Sequence, residues 1–175
     1  SDQHEWFQAA LAAEPGSPER ARYIFREDAD GPPNNWESVF GGPAWSQVPD
    51  GGNQSNQWFL HLFDATQPDL NWRNPEVGDM FADVLTFWLE RGVDGFRIDV
   101  AHGLFKEESL RDQVVHDDGT PSSHTERMLE RNLTDEPMWD QPEVHDVYRR
   151  WARILDSYGP DRMAVGEAWT QNPES

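Results

Sequence analysis

The chain has 175 residues, enough for one ordinary domain with a real core. Its 33 acidic and 14 basic residues give a formal charge of −19, which argues against nucleic acid and anionic membrane surfaces as partners, because both require a cationic face. Cysteine is absent, so disulfides and thiolate metal sites are excluded, and no apolar run approaches the roughly 20 residues of a membrane span.

The first 66 residues read as irregular. A short amphipathic helix is expected from Glu5 to Ala13, with Trp6, Phe7, Ala10 and Leu11 on one face. Ser17-Pro18 supplies an N-cap and a first-turn proline for a second short helix. Two loop signals follow, Gly31-Pro32-Pro33-Asn34-Asn35 and Pro49-Asp50-Gly51-Gly52-Asn53. The clearest strand-like piece is Phe59-Leu60-His61-Leu62-Phe63. This grouping predicts a small loop-rich subdomain.

From residue 67 the pattern becomes regular. Asn74 can cap a helix starting at Pro75, with Val77, Phe81, Val84 and Trp88 on its apolar face and Gly92 to end it. Val93 to Val100 reads as a strand. A polar stretch from about 106 to 141 shows little periodicity. A further helix is expected from near Pro142, burying Val144, Val147, Trp151, Ile154 and Leu155 and stopping before Gly159-Pro160. Met163 to Glu167 reads as the last strand. Helix, strand, long loop, helix, strand is the order of parallel β/α units. In such units ligands sit at the carboxyl ends of the strands, and here both strands end in a carboxylate.

Alternation along the first strand puts Arg97 and Asp99 on one face and Phe96, Ile98 and Val100 on the other. If the charged pair is buried, pairing is nearly obligatory, and Asp99 would be an ionised, immobilised carboxylate. Glu167, beside Ala168 and Trp169, has apolar neighbours that suit a proton donor. Carboxylates on adjacent strand ends can approach to about 5–5.5 Å, the spacing of retaining glycoside hydrolysis. An Arg and an Asp two apart are equally a structural ion pair. Residue patterns alone reach a plausible carboxylate-pair site and stop there.

Four stretches carry a more specific resemblance. Gly95-Phe96-Arg97-Ile98-Asp99-Val100, Val165-Gly166-Glu167-Ala168-Trp169, Gln67-Pro68-Asp69-Leu70-Asn71-Trp72, and Pro32-Pro33-Asn34-Asn35-Trp36 with Phe40-Gly41-Gly42 occur in the order seen in the α-amylase superfamily of glycoside hydrolases. They resemble most its α-glucosidase and oligo-1,6-glucosidase branch. The resemblance implies an α/β fold: part of a (β/α)8 TIM barrel, about strands 4 and 5 with their helices, over residues 67–175. Residues 1–66 would be the subdomain inserted after barrel strand 3. It further implies Asp99 as nucleophile, Glu167 as general acid/base and Arg97 as the residue orienting Asp99. Phe40 and Phe63 would pack on the sugar with Gln67 nearby, and Val100 and His102 would border the leaving-group subsite. Ordinary packing accounts equally for Phe40 and Phe63, and His61 reads as structural.

The implied reaction releases glucose from α-1,4-linked, or else α-1,6-linked, oligosaccharides. The rivals are a transglucosidase or isomerase of the same fold, such as a trehalose or isomaltulose synthase, and a non-catalytic relative. α-Glucosides of the maltose or isomaltose type are the expected partners. No metal and no cofactor are expected in this stretch. The Ser1 start and the motifs not found here suggest a segment of a longer protein, with a cytoplasmic location expected.

Overall fold

A computed structural model describes residues 1–49, 55–113 and 136–170. The expectations for residues 50–53 and for most of the polar stretch, 114–135, lie outside the described residues. The chain forms two compact units. Their described parts are residues 1–49 and 55–71 with 109–113, and residues 72–108 with 136–170.

In the first unit, helix α1 (Glu5–Ala12) buries Phe7 and Ala10, and His4 caps it by accepting from the Trp6 amide. Helix α2 (Pro18–Ala21) opens on Pro18, with the Ser17 hydroxyl accepting from the Arg20 amide at 3.3 Å. Strands β1 (Phe25–Glu27), β2 (Trp45–Gln47) and β3 (Gln57–Leu60) form an antiparallel sheet in the order β1-β3-β2. Its core gathers Phe7, Ala10, Tyr23, Val48 and Phe59. The strand expected over residues 59–63 begins earlier and stops at Leu60. Beyond that point the His61 amide still donates to the Ala44 carbonyl at 2.7 Å, and the Leu62 amide donates instead to the Asp69 carboxylate at 2.6 Å. Residues 69–71 are bonded to this unit: Ile24 donates to the Asp69 carbonyl and Asn71 to the Arg22 carbonyl.

The second unit contains helix α3 (Pro75–Leu89), strand β4 (Gly95–Ile98), a 3₁₀ turn (Ala101–Gly103), helix α4 (Val144–Tyr158) and strand β5 (Met163–Gly166). Asn74 caps α3 through the Glu76 amide at 3.0 Å, and Pro75 needs no donor at the first helical position. Past the end of α3, Gly92 at φ +86° lets the Val93 amide return to the Trp88 carbonyl at 3.2 Å. That is a Schellman closure, and it needs a left-handed residue.

Strands β4 and β5 pair in parallel with Ile98 opposite Gly166. Phe96 and Ile98 of β4 pack on a cluster built from Leu85, Leu89, Trp151 and Leu155. One expectation fails here. Val84 and Trp88 are exposed, not part of the buried face of α3. The packed row is Val77, half-buried Phe81, Leu85 and Leu89, joined by Ala82. Such an i+4 ridge is inclined to the helix axis, so the packed face has moved off the Val84 side by the second half of the helix.

This assignment is checked by urea denaturation. Leu89→Ala should lower the unfolding free energy by about 2–5 kcal/mol, the range for truncating a buried leucine. Val84→Ala should change it by no more than about 0.5 kcal/mol.

Candidate active site

The site grows out of the parallel pairing of β4 and β5. One residue past the strands, the Glu167 amide donates to the Ile98 carbonyl at 2.8 Å, and the Ala101 amide donates to the Glu167 carbonyl at 2.7 Å. A regular parallel ladder would use the amide of residue 100. One residue is therefore extra, and Asp99 and Val100 together face Glu167 as a bulge. Val100 absorbs the bulge with φ 49° and ψ 47°. That left-handed conformation costs a β-branched residue on the order of 1–3 kcal/mol.

Several groups support the turn that follows. The Gly103 amide donates to the Val100 carbonyl at 2.9 Å, and the Asp140 amide to the His102 carbonyl at 2.9 Å. Lys106 Nζ donates to the Gly103 carbonyl and the Tyr148 hydroxyl to the Ala101 carbonyl. Gly103 has no alternative, because a Cβ there would lie 2.8 Å from Trp139 and 2.9 Å from Val100 Cγ1. His102 is buried, with its ring 5.1 Å from that of Trp139. It lies inside the support of the turn, with almost no surface open to a ligand.

Arg97 leaves β4 on the face opposite Phe96 and Ile98. Its guanidinium takes Asp99 Oδ1 on Nη1 at 2.8 Å and Glu167 Oε2 on Nη2. One planar fork therefore holds both strand-end carboxylates. The side chains are open to solvent, at 62% for Arg97, 71% for Asp99 and 40% for Glu167. Arg97 and Asp99 are not covered in this chain, where among the described residues the sheet has two strands and this face is open. Nor do the apolar neighbours dominate around Glu167, whose carboxylate meets a guanidinium while Trp169 is exposed. Ion pairs this exposed contribute about 1 kcal/mol or less to stability. What the fork provides is orientation. A cleft of about 480 Å³ in the same unit is lined by Ile98, Ala101, Tyr148, Trp151 and Ala164, but by none of these three charged residues.

The remaining candidates lie in the first unit. The rings of Phe40 and Phe63 meet edge to face at 5.6 Å, and Phe40 is 60% exposed. The Phe63 carbonyl accepts from the Ser38 hydroxyl at 2.8 Å and lies 3.1 Å from His61 Nδ1. The other His61 nitrogen is 2.8 Å from the Ser46 hydroxyl. Buried and engaged at both nitrogens, His61 has a structural setting. Gln67 closes a turn with Asp64, its amide donating to the Asp64 carbonyl at 2.8 Å. Two Thr66 hydrogen bonds hold the Asp64 carboxyl below its ordinary value, that of the Thr66 hydroxyl first and that of its amide second. Among the described residues no group of three or more His, Cys, Asp or Glu side chains is placed to hold a metal ion.

Sequence reasoning did not find Tyr148, Lys106 or Trp139. Each supports the turn from a distant point in the chain or through a backbone contact, and neither leaves a local pattern.

The described sheet is parallel and sets a carboxylate at the end of each of its two strands, and the family model for the α-amylase catalytic domain matches residues 1–175. The chain belongs to the α-amylase family, as part of its (β/α)8 barrel. It is 40% identical over 164 residues to an α-glucosidase of Culex pipiens, covering 93% of this chain and 26% of that protein. An oligo-1,6-glucosidase of Parageobacillus thermoglucosidasius is 37% identical over 169 residues, covering 95% and 27% respectively. A crystal structure of an α-glucosyl transfer enzyme superposes with a TM-score of 0.80 at 34% identity, over 98% of this chain and 32% of the other. The chain thus spans about a quarter to a third of the length of these relatives.

The setting of Tyr148 has a measurable pH consequence. Burial pushes its phenol well above the ordinary value of 10.0. With the folded value raised, its contribution to stability is complete below the unfolded value and is lost as pH rises from there through the folded one. Unfolding free energy should therefore fall above pH 10.0, the ordinary tyrosine value. Tyr148→Phe should flatten that alkaline limb in denaturation curves taken across the range.

Proposed function

We propose that these residues form part of a retaining α-glucoside hydrolase acting through a covalent glucosyl intermediate. The observation that carries the reading is the sharing of Arg97 by Asp99 and Glu167. Two carboxylates on one guanidinium fork are compatible with the roughly 5–5.5 Å separation that retaining chemistry uses.

In the first step a carboxylate oxygen of Asp99 attacks the anomeric carbon while Glu167, protonated, gives its proton to the departing glycosidic oxygen. A protonated Glu167 has no charge to share with Arg97, so the proposal includes its rotation off the fork and onto the leaving oxygen. Arg97 keeps Asp99 aligned throughout. In the second step Glu167 takes a proton from water, the water oxygen bonds to the anomeric carbon, and the bond to Asp99 breaks. Water ends as the new hydroxyl of glucose, and both carboxylates return to their starting forms. The two-carboxylate route calls for no cofactor.

Phe40, with its exposed ring, and Phe63 are proposed sugar contacts, since an aromatic face stacks on the apolar face of a pyranose; Gln67 is proposed beside them. α-1,4-Linked oligosaccharides are the preferred substrate class, with α-1,6-linked ones second. The similarity to an α-glucosyl transfer enzyme supports a second reading, in which a sugar hydroxyl intercepts the intermediate in place of water. Product analysis from maltose and from sucrose separates the two.

The mechanism is tested in the complete protein. A fluorinated glucoside should give a glucosyl adduct by intact mass, mapped to the peptide containing Asp99, and Asp99→Asn should give none. Glu167→Gln should lower kcat by about 10²–10⁴, the usual worth of a positioned proton-transfer group. An adduct elsewhere in the chain would defeat the assignment. Val100→Thr should alter the maltose-to-isomaltose rate ratio, and an unchanged ratio would remove Val100 from substrate choice. The 175 residues alone should release no p-nitrophenol from its α-glucoside, since two parallel strands do not close a barrel.

A further inference from the structure

Asp99 joins β4 to the turn that begins at Val100, so the anchorage of that turn fixes one end of the backbone segment that carries the Asp99 carboxylate. A valine at φ 49° and ψ 47° holds that conformation only where its surroundings over-determine it. The hydrogen bond from Gly103 to Val100 is internal to the turn and cannot by itself fix the turn against the sheet. The Ala101 amide is tied to Glu167 on the neighbouring strand. The Ala101 carbonyl is tied to the Tyr148 hydroxyl on α4, and the Tyr148 ring is in turn set edge-on against Trp151, 5.5 Å between centroids. Ala101 is thus gripped on one side by the strand that bears Glu167 and on the other by a helix.

We propose that Tyr148 is a positioning residue for Asp99. Its hydroxyl holds the Ala101 carbonyl, which keeps Val100 left-handed, and the left-handed Val100 aims the Asp99 carboxylate at Arg97 and the substrate. The kinetic consequence rests on the glycosidase reading above; the clamp itself does not. A tyrosine that only fills space would stabilise the unit without any special dependence on residue 100. A clamp would lose its purpose once residue 100 adopts the left-handed region unaided, as glycine does.

The test uses the complete protein, with Tyr148→Phe made alone and in a Val100→Gly background. The readouts are kcat and KM on p-nitrophenyl α-glucoside and amide exchange at Ala101. Tyr148→Phe alone should lower kcat at least tenfold, with KM changed less than twofold and Ala101 exchange at least tenfold faster. Whatever Val100→Gly does by itself, adding Tyr148→Phe to it should change kcat and Ala101 exchange by less than twofold. Equal losses in both backgrounds overturn the proposal, as do unchanged kcat and exchange in Tyr148→Phe. If Tyr148→Phe alone is too unstable to assay, the pair with glycine decides, and a tenfold loss between Val100→Gly and the double variant overturns it. A parent protein with no glucosidase activity would remove the functional reading while the exchange comparison still judged the clamp.

Discussion

The geometry of the site depends on the two backbone hydrogen bonds by which Glu167 holds Ile98 and Ala101. They carry the β4–β5 ladder one step past its regular end and trap one residue too many on the β4 side. The bulge that results places Asp99 outside the regular strand yet still beside Glu167, within reach of the same guanidinium. Without that pairing the two acids would be separate surface charges, each among many in an acidic chain.

Interactions of similar geometry contribute differently in energy here. Exposed ion pairs such as those of Arg97 add little stability, so the arrangement of charges cannot hold the site together. Stability comes instead from the apolar layer behind it, where Phe96 and Ile98 meet Leu85, Leu89, Trp151 and Leu155. Tyr148 belongs to both sides of this division. Its ring packs on Trp151, and its hydroxyl reaches the turn that follows Asp99. Packing thereby fixes a helix, the helix fixes a turn, and the turn sets the direction of a carboxylate.

The same logic explains why family membership and reaction are separate conclusions. The family model matches residues 1–175, and relatives that hydrolyse and a relative that transfers glucosyl groups are all similar to the same stretch. The covalent step is proposed on Asp99 and Glu167 alone. What would intercept the proposed intermediate is set by how water and sugars reach the anomeric carbon, a property of the surroundings of the carboxylates and not of the carboxylates themselves.

Most of the architecture was legible in the chain itself, because it follows from local rules. Capping residues Ser17 and Asn74, the prolines after them, the closing Gly92 and the period-two alternation through Phe96, Arg97 and Ile98 act within a few residues of themselves. Together with the apolar spacing in α1 and α4 they located the helices and the two parallel strands with their terminal acids, whereas the three-residue strands β1 and β2 carry no such local pattern. What only the tertiary structure decided was everything that depends on a partner distant in sequence. The inclined ridge that leaves Val84 and Trp88 exposed, the bulge at Val100, the second arm of Arg97 on Glu167 and the reach of Tyr148 to Ala101 all arise where separate elements meet. Local preference is blind to them, since a valine favours extended backbone until a neighbouring strand and helix together hold it elsewhere.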